Sequence, residues 1–472
     1  MECEGCRRLE ARIAELAAIV EQQAGEIAAL REQARRSSRN SSKPPSSDGP
    51  AAPPRPKKPP SGRKPGGQAG HEGHGRELLP SDKAAKIVAC IPVRCERCDK
   101  RLHGRDADPR RHQVFHLPKI EPSFDEYQIH GLGCTCGHVT HGKLPAGVPT
   151  GAFGPSVLAV VAVLMGVYRL SKRMVPELML DLFGLHMSVG AVVGCQHIIS
   201  QAIATPVEQA AAHVVEQPVK NADETSWREG PTRARVWLWA VVTPLVVVFK
   251  IQATRNADAA REILGRAVGV LGSDRHGAYG WWTDKMRQFC WAHLQRDAQA
   301  IADRGGESEH IGNKLLEEIE RMFGWWHRVR DGDLARSTFE VYMRPLRTRV
   351  EATLQWGSLC SHPKTAKTCA NLLKHSESLW TFVRVSGVEP TNNAAEQAVR
   401  HPVIMRKISY GTHSQAGSRF IERILTVHAT LRRQKRNILG FIQDACTAAL
   451  HNRPPPSLLP IPALPRQLAK AA

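Results

Sequence analysis

Three acidic residues stand where phosphodiester chemistry could use them. Asp223 lies in Val219–Thr225, a run that reads as a short strand ending in polar residues. Asp274 comes 51 residues later, just after the apolar run Gly269–Gly272. Glu396 follows after a further 122 residues, in Pro390-Thr-Asn-Asn-Ala-Ala-Glu-Gln-Ala-Val-Arg400. Attack on a phosphodiester needs an activated oxygen nucleophile and a stabilised leaving oxygen. Two divalent ions about 4 Å apart supply both, and hard cations such as Mg²⁺ or Mn²⁺ prefer carboxylate oxygens. Each acid also has a plainer reading. Asp223 and Glu224 could be a solvated strand end, Asp274 a turn residue, and Asn393 with Glu396 a helix capping box.

The elements that must position these acids can be read from periodicity. Val236–Val242 and Leu245–Ile251 are β-branched, apolar runs broken at Thr243-Pro244, the pattern of a hairpin. Asn256–Val268 is amphipathic with helical period, and Gly269–Gly272 is a fourth strand. Three strands, a helix and a fourth strand open a ribonuclease-H-like domain, in which the strands bearing Asp223 and Asp274 lie side by side. The stretch from Asp274 to Glu396 exceeds what that fold needs, and helical runs such as Asn313–Val329 predict an all-α insertion at about residues 300–385. Trp325 and Trp326 within it suit core packing better than base stacking. Cys290-x-x-His293 reads as a structural pair beside the site, with Cys290 buried and His293 hydrogen-bonded.

Cys95-x-x-Cys98 and Cys134-x-Cys136 bracket 35 residues, a spacing that suits a structural Zn²⁺ held by four thiolates in a ribbon-like module over 81–148. Strand-like alternation in Gln113–Leu117 and Glu126–His130 fits that module. Because the second pair is C-x-C, Cys90, His138 or His141 could replace one ligand. Cys3 and Cys6 read as free thiols. Gly151–Ala204 is apolar with helical period, within a helical region over 149–215. Helix-like Lys172–Phe183 ends at Gly184, and Ser188 N-caps a helix to about Ala202. The pair fits a helix-turn-helix by spacing, but its second helix is poor in Arg, Lys and Asn, which favours plain helix packing.

Leu9, Ile13, Leu16, Val20, Gln23, Ile27 and Leu30 keep the 3.5-residue period of a coiled-coil seam, predicting a zipper over 1–36 and a homodimer or larger assembly. Residues 37–80 form a basic arm rich in proline, serine and glycine; Lys43–Pro65 alone holds nine prolines, too many for a core. Its Lys57, Lys58, Arg63 and Lys64 suit phosphates. A second basic region carries Arg400, Arg406, Lys407, Arg432 and Arg433, with Glu422 the one acid between Arg400 and Arg436. Over 472 residues, 65 Lys+Arg against 45 Asp+Glu give a formal charge of +20, which points to double-stranded DNA as partner. Hydrophobic content of 42% excludes wholesale disorder, although 446–472 reads as a disordered tail. The longest apolar runs, Val157–Tyr168 and Val236–Phe249, are too short for a spanning helix. With no signal-like N-terminus, a cytoplasmic location is expected.

These residues together resemble the bacterial insertion-sequence transposases of the sixty-six family along almost the whole chain. The resemblance is carried by the zipper, by Asn40-Ser-Ser-Lys-Pro-Pro-Ser-Ser-Asp48 and by Lys64-Pro-Gly-Gly-Gln-Ala-Gly-His-Glu-Gly-His74. It continues through the cysteine module, Asp223-Glu-Thr, Ser273-Asp274, Cys290-Trp-Ala-His293, Asn392-Asn-Ala-Ala-Glu396 and Arg406-Lys407. It implies a DDE transposase with its catalytic domain over 216–445, in which Asp223, Asp274 and Glu396 hold two Mg²⁺ or Mn²⁺ ions. Asn392, Asn393, Cys290 and His293 would be structural neighbours of that site. The expected architecture is a multidomain α+β chain: coiled coil, basic arm, zinc ribbon, helical DNA-binding region and ribonuclease-H-like core. The resemblance further implies work on terminal inverted repeats by strand cleavage and transfer, nucleoid association, and small accessory proteins of the same element. Gln397 stands where an arginine is common.

Overall fold

A computed structural model describes residues 3–41, 48 and 76–460. Lys57, Lys58, Arg63 and Lys64, and most of the arm that carries them, lie outside the described residues. The chain divides into two units, one of Met1–Ala52 with Pro122–Ala472 and one of Pro53–Glu121.

In the larger unit the heptad run forms one helix, α1 (Glu4–Ala34). Its seam is exposed: Leu9, Ile13, Leu16, Val20, Ile27 and Leu30 are all open to solvent. A two-stranded hairpin, β1 (Gly131–Gly133) with β2 (Val139–His141), turns at Cys134–His138, where the Cys134 amide donates to the His138 carbonyl at 2.8 Å. The predicted strands Gln113–Leu117 and Glu126–His130 do not form. Val114, Phe115, Leu117 and Ile129 are exposed. Alternation alone makes no strand without a ladder partner and a core to cover one face.

Four helices follow: α2 (Pro155–Gly166), α3 (Met174–Phe183), α4 (Val189–Ala202) and α5 (Ala204–Val215). Gly184 closes α3 at φ +63°, and the Ser188 hydroxyl caps α4 by accepting from the Ala191 amide at 3.1 Å. Val192, Cys195, Ile199 and Ala202 of α4 are buried in the main core, so its apolar face is spent on packing.

The central sheet has five strands: β3 (Val219–Glu229), β4 (Ala234–Val242), β5 (Val247–Gln252), β6 (Val270–Ser273) and β7 (Arg287–Phe289). Their order is β5-β4-β3-β6-β7. The first three are antiparallel neighbours, while β6 and β7 run parallel to β3. Helix α6 (Ala257–Leu264), capped by the Asn256 side chain, makes the crossover from β5 to β6. After β7 comes α7 (Trp291–Ala302), and then α8 (Gly306–Asp331), α9 (Arg336–Ser358), α10 (Pro363–Lys374) and α11 (Thr381–Arg384). These build a second hydrophobic core around Trp326, Phe339, Leu346 and Phe382. Trp326 is 7% exposed and donates from Nε1 to Glu389 at 3.1 Å, so it packs as a core residue. Helix α12 (Asn393–Ser409) carries Glu396 and runs on past Pro402; α13 (Gln415–Arg433) and α14 (Ile438–Leu450) complete the unit. The chain beyond 446 is built in as far as 460: α14 extends to Leu450, and Leu458 is fully buried. No helix among the described residues is long and apolar enough to cross a membrane.

In the smaller unit, Cys95–Cys98 forms a tight turn flanked by an Arg94–Arg101 bridge, with the Cys95 amide donating to the Lys100 carbonyl at 2.9 Å. Gln113 is tied to Leu79 by a pair of backbone–side-chain hydrogen bonds, at 3.0 and 2.8 Å.

Candidate active site

The sheet brings the first two acids together through its parallel pairing. Val219, Lys220 and Asn221 lie opposite Val270, Leu271 and Gly272, and two more steps along that register set Asp223 level with Asp274. Asp223 is mid-strand, paired on its other side with Ala240. Asp274 leaves the end of β6 and is braced there. Its Oδ1 accepts from the His276 amide at 2.9 Å, and its carbonyl accepts from the buried Arg287 at 2.8 Å.

Glu396 is brought in by a stitch between the starts of α7 and α12. The Cys290 amide donates to the Ser273 carbonyl at 3.0 Å, which fixes Cys290 beside Asp274. The Cys290 sulfur accepts the Asn392 amide at 3.2 Å, and the Asn392 side chain donates to the Ala222 carbonyl at 2.8 Å, next to Asp223. One asparagine therefore ties α12 to both β3 and the turn after β7. The capping-box geometry does not occur: Asn392 is the N-cap, its side chain turned to Ala222, and Asn393 is exposed. Glu396 is thus released from the local role its spacing allowed. Its Oε1 lies 3.6 Å from His293 Nε2, 3.9 Å from Cys290 Sγ and 4.0 Å from Arg296.

The electrostatics are those of crowded carboxylates. Burial first, then the charges of Glu224, Asp274 and Glu396, push the Asp223 carboxyl up to about 8. Glu224 is raised as well, by burial and by Asp274, although Arg255 pairs with it and the Tyr279 hydroxyl donates to it. Arg255 also lies 3.7 Å from Asp274. Burial and Arg296 hold the His293 imidazole below its ordinary range, and burial raises the Cys290 thiol. Asn392, 1% exposed, leaves its Oδ1 without a partner. Hard oxygen donors, an ionisation suppressed by like charge and an orphaned amide oxygen together fit a divalent cation. Asp274, His276, His293, Arg296 and Asp297 line a cleft of about 160 Å³ that opens onto this region.

Sequence reasoning did not single out Glu224, Arg255, Tyr279 or Arg287 as supports. Glu224 follows Asp223 directly, but the cation and hydroxyl that hold it are 31 and 55 residues away. Among the described residues, the group of three metal-ligating side chains whose atoms all lie within 4.8 Å is Cys290, His293 and Glu396. The cysteines 95 and 98 belong to the smaller unit and 134 and 136 to the larger one, each pair held in its own tight turn. Of the expected DNA-facing cations, Arg400, Lys407 and Arg432 are exposed. Arg406 instead donates to the Thr225 and Ser226 hydroxyls, two and three residues after Asp223 on β3, and Arg433 to the Thr243 and Ala394 carbonyls.

Comparison with known proteins gives two family matches. Residues 4–77 match a family of unknown function (DUF6444). No curated protein matches the chain. Residues 150–419 match the model described as the Transposase IS66 family, and they contain the whole sheet, Asp223, Asp274, Glu396 and the helical insertion. With more than half of its length matched, the chain belongs to the IS66 family of transposases, proteins of DNA transposition.

Proposed function

We propose that this transposase cuts and joins DNA strands at the terminal inverted repeats of its own element, using Asp223, Asp274 and Glu396 on a ribonuclease-H-like sheet. The observation that carries the reading is the convergence of the acids: the parallel register sets Asp223 level with Asp274, and Asn392 ties the start of the Glu396 helix to Ala222 and Cys290. Asp223, Asp274 and Glu396 would hold two Mg²⁺ or Mn²⁺ ions, which when bound make an attacking oxygen more nucleophilic and stabilise the leaving one. The protein's own part is positional. Asp223 gives up its proton to become a ligand, Arg287 keeps the Asp274 turn in place, and Asn392 fixes the start of α12 on β3. Cys290 and His293 stand against Oε1 of Glu396. Hydrolysis exposes a 3′-hydroxyl, and the same carboxylates then serve its attack on a target phosphodiester, since both steps are in-line phosphoryl transfers.

DNA is held elsewhere on the surface. Exposed Arg432 and Lys435, beside a groove of about 340 Å³ that Val163, Val167, Ile438 and Leu439 also line, offer their charges to a phosphate backbone. The basic arm with Lys57, Lys58, Arg63 and Lys64 adds a salt-sensitive, sequence-blind contribution. The exposed seam of α1 pairs with a second copy to hold two ends, and the Cys95–Cys98 and Cys134–Cys136 turns each offer two thiolates to Zn²⁺.

The test uses DNA carrying the element's own ends, Mg²⁺ or Mn²⁺, and wild type beside Glu396→Gln. Wild type should nick and join at the ends while the variant binds without cutting. Equal binding with no cleavage by either protein would favour a non-catalytic DNA-binding role. Cleavage that never proceeds to joining would favour a nuclease.

A further inference from the structure

Cys290, His293 and Glu396 are a chemically different set from the two aspartates. A thiol and an imidazole are soft and borderline donors, which Mg²⁺ avoids and Zn²⁺ prefers. All three ligand atoms lie within 4.8 Å of one another. The sulfur is 3.9 Å and the imidazole Nε2 3.6 Å from the same carboxylate oxygen, Oε1 of Glu396. In tetrahedral zinc, with bonds of about 2.3 Å to sulfur and about 2.0 Å to nitrogen and oxygen, those edges come to about 3.3–3.5 Å. Both edges to Oε1 need a closure of only a few tenths of an ångström, and the edge between sulfur and imidazole starts within 4.8 Å.

The backbone favours the arrangement. Cys290 is the N-cap of α7 and also accepts the Asn392 amide at the start of α12, so two helix N-termini face the sulfur. His293 sits three residues on, in the first turn of α7, the i, i+3 spacing that puts two side chains on one helix face. The two helix starts are locked together by the Trp291 amide, which donates to the Pro390 carbonyl at 2.9 Å. His293 also lines the 160 Å³ cleft, which gives an ion a path in and a water room for the fourth position. Arg296, 4.0 Å from Oε1, is the charge an incoming cation must displace.

We propose that Cys290 Sγ, His293 Nε2 and Glu396 Oε1 form a binding site for a thiophilic divalent cation of the Zn²⁺ type, and that filling it withdraws Glu396 from the carboxylate set. The site is independent of how the protein handles DNA. Its inhibitory consequence rests on the strand-cleavage reading given above.

Binding is measured first, without DNA, by titrating the full-length protein with Co²⁺ and following the near-ultraviolet thiolate-to-cobalt charge-transfer band. Bound zinc is then counted after dialysis. Thiolates at 95, 98, 134 and 136 contribute their own signal, so the quantity read is the difference between variants. Cys290→Ser and His293→Gln should each lose one metal equivalent, Cys290→Ser should also lose part of the band, and Asp223→Asn should keep both. If Cys290→Ser melts differently from wild type, His293→Gln alone decides the stoichiometry. Unchanged stoichiometry in His293→Gln overturns the site. In wild type active with Mg²⁺, filling this equivalent with Zn²⁺ should stop cleavage. Cleavage that persists with the site filled overturns the inhibitory role while leaving the binding site intact. A protein that never cleaves but loses zinc in these variants would fail the functional reading alone.

Discussion

Replacing Asp223 by Asn should make the cation-free protein more stable at alkaline pH. In the fold this carboxyl is pushed from 3.8 up to about 8, chiefly by burial and then by Glu224 and Asp274. Below about pH 4 it is protonated in both folded and unfolded chains, so its stabilising contribution is fully present. As pH rises the unfolded chain ionises first while the folded one retains its proton, and that contribution is lost progressively until the folded carboxyl also ionises near pH 8. Four pH units at about 1.4 kcal/mol each set a ceiling of roughly 5–6 kcal/mol. Relaxation and water entry at a cleft lower this to about 2–4 kcal/mol. Asparagine keeps the shape and has no charge to bury. Urea unfolding of wild type and Asp223→Asn at pH 5 and pH 8, followed by far-ultraviolet circular dichroism, reads the difference. The variant should gain on wild type between the two pH values by about 1.5–3 kcal/mol, since about one of the four pH units lies below pH 5. Saturating Mg²⁺ should then recover about 2–3 kcal/mol in wild type, as for a ligand at about a hundred times its dissociation constant, and little in the variant. A variant no more stable than wild type at pH 8, with Mg²⁺ stabilising both equally, would refute the account of the site.

Three further outcomes follow from packing and surface. In Gly312→Ala, the new Cβ would sit 2.3 Å from the Ala302 amide nitrogen and 2.6 Å from its Cα, both backbone, so α7 and α8 must separate; a loss of about 1–3 kcal/mol in thermal melts is expected. Leu16→Glu with Val20→Glu, both on the exposed seam of α1, should convert an assembly to monomer in light scattering while leaving the melting of the main unit unchanged. Arg432→Ala with Lys435→Ala should weaken DNA binding and flatten its dependence on salt, whereas Arg433→Ala, whose guanidinium serves the Thr243 and Ala394 carbonyls, should cost stability instead.

Elements whose signals are local were legible in the sequence. The heptad run is α1, Gly184 and Ser188 punctuate α3 and α4 as their residue types dictate, and Asn256 caps α6. What failed depended on partners far away in the chain. The alternation at 113–117 and 126–130 found no ladder, and composition does not mark which arginines turn inward, as Arg406 does to the Thr225 and Ser226 hydroxyls and Arg433 to the Thr243 and Ala394 carbonyls. Asn393 and Glu396 matched a capping box by spacing, yet the buried bond from Asn392 to Ala222 outweighed a cap that solvent can replace. Asp223 and Asp274 were legible as neighbours because the order of their two strands was, whereas Glu396 stands on α12. Their supports were not legible, since nothing local marks Arg255 and Tyr279 as partners of Glu224.

The same stitch explains how the third acid can stand so far from the second in sequence. The chain leaves the sheet at Cys290 and returns at Pro390, and the Trp291 amide meets the Pro390 carbonyl at 2.9 Å. The helices between those points pack on a core that also takes in Val270 and Phe289 of the sheet, and the loop's two ends are fixed by the stitch. Closing a longer loop costs only slowly more entropy, and packing within α8–α11 offsets it. Glu396 therefore takes its position from the stitch at Cys290 and Asn392 and from Ala395 and Val399, which pack α12 onto the sheet. Changes in the helical insertion should act on its stability, and changes at the stitch on the geometry of the acids.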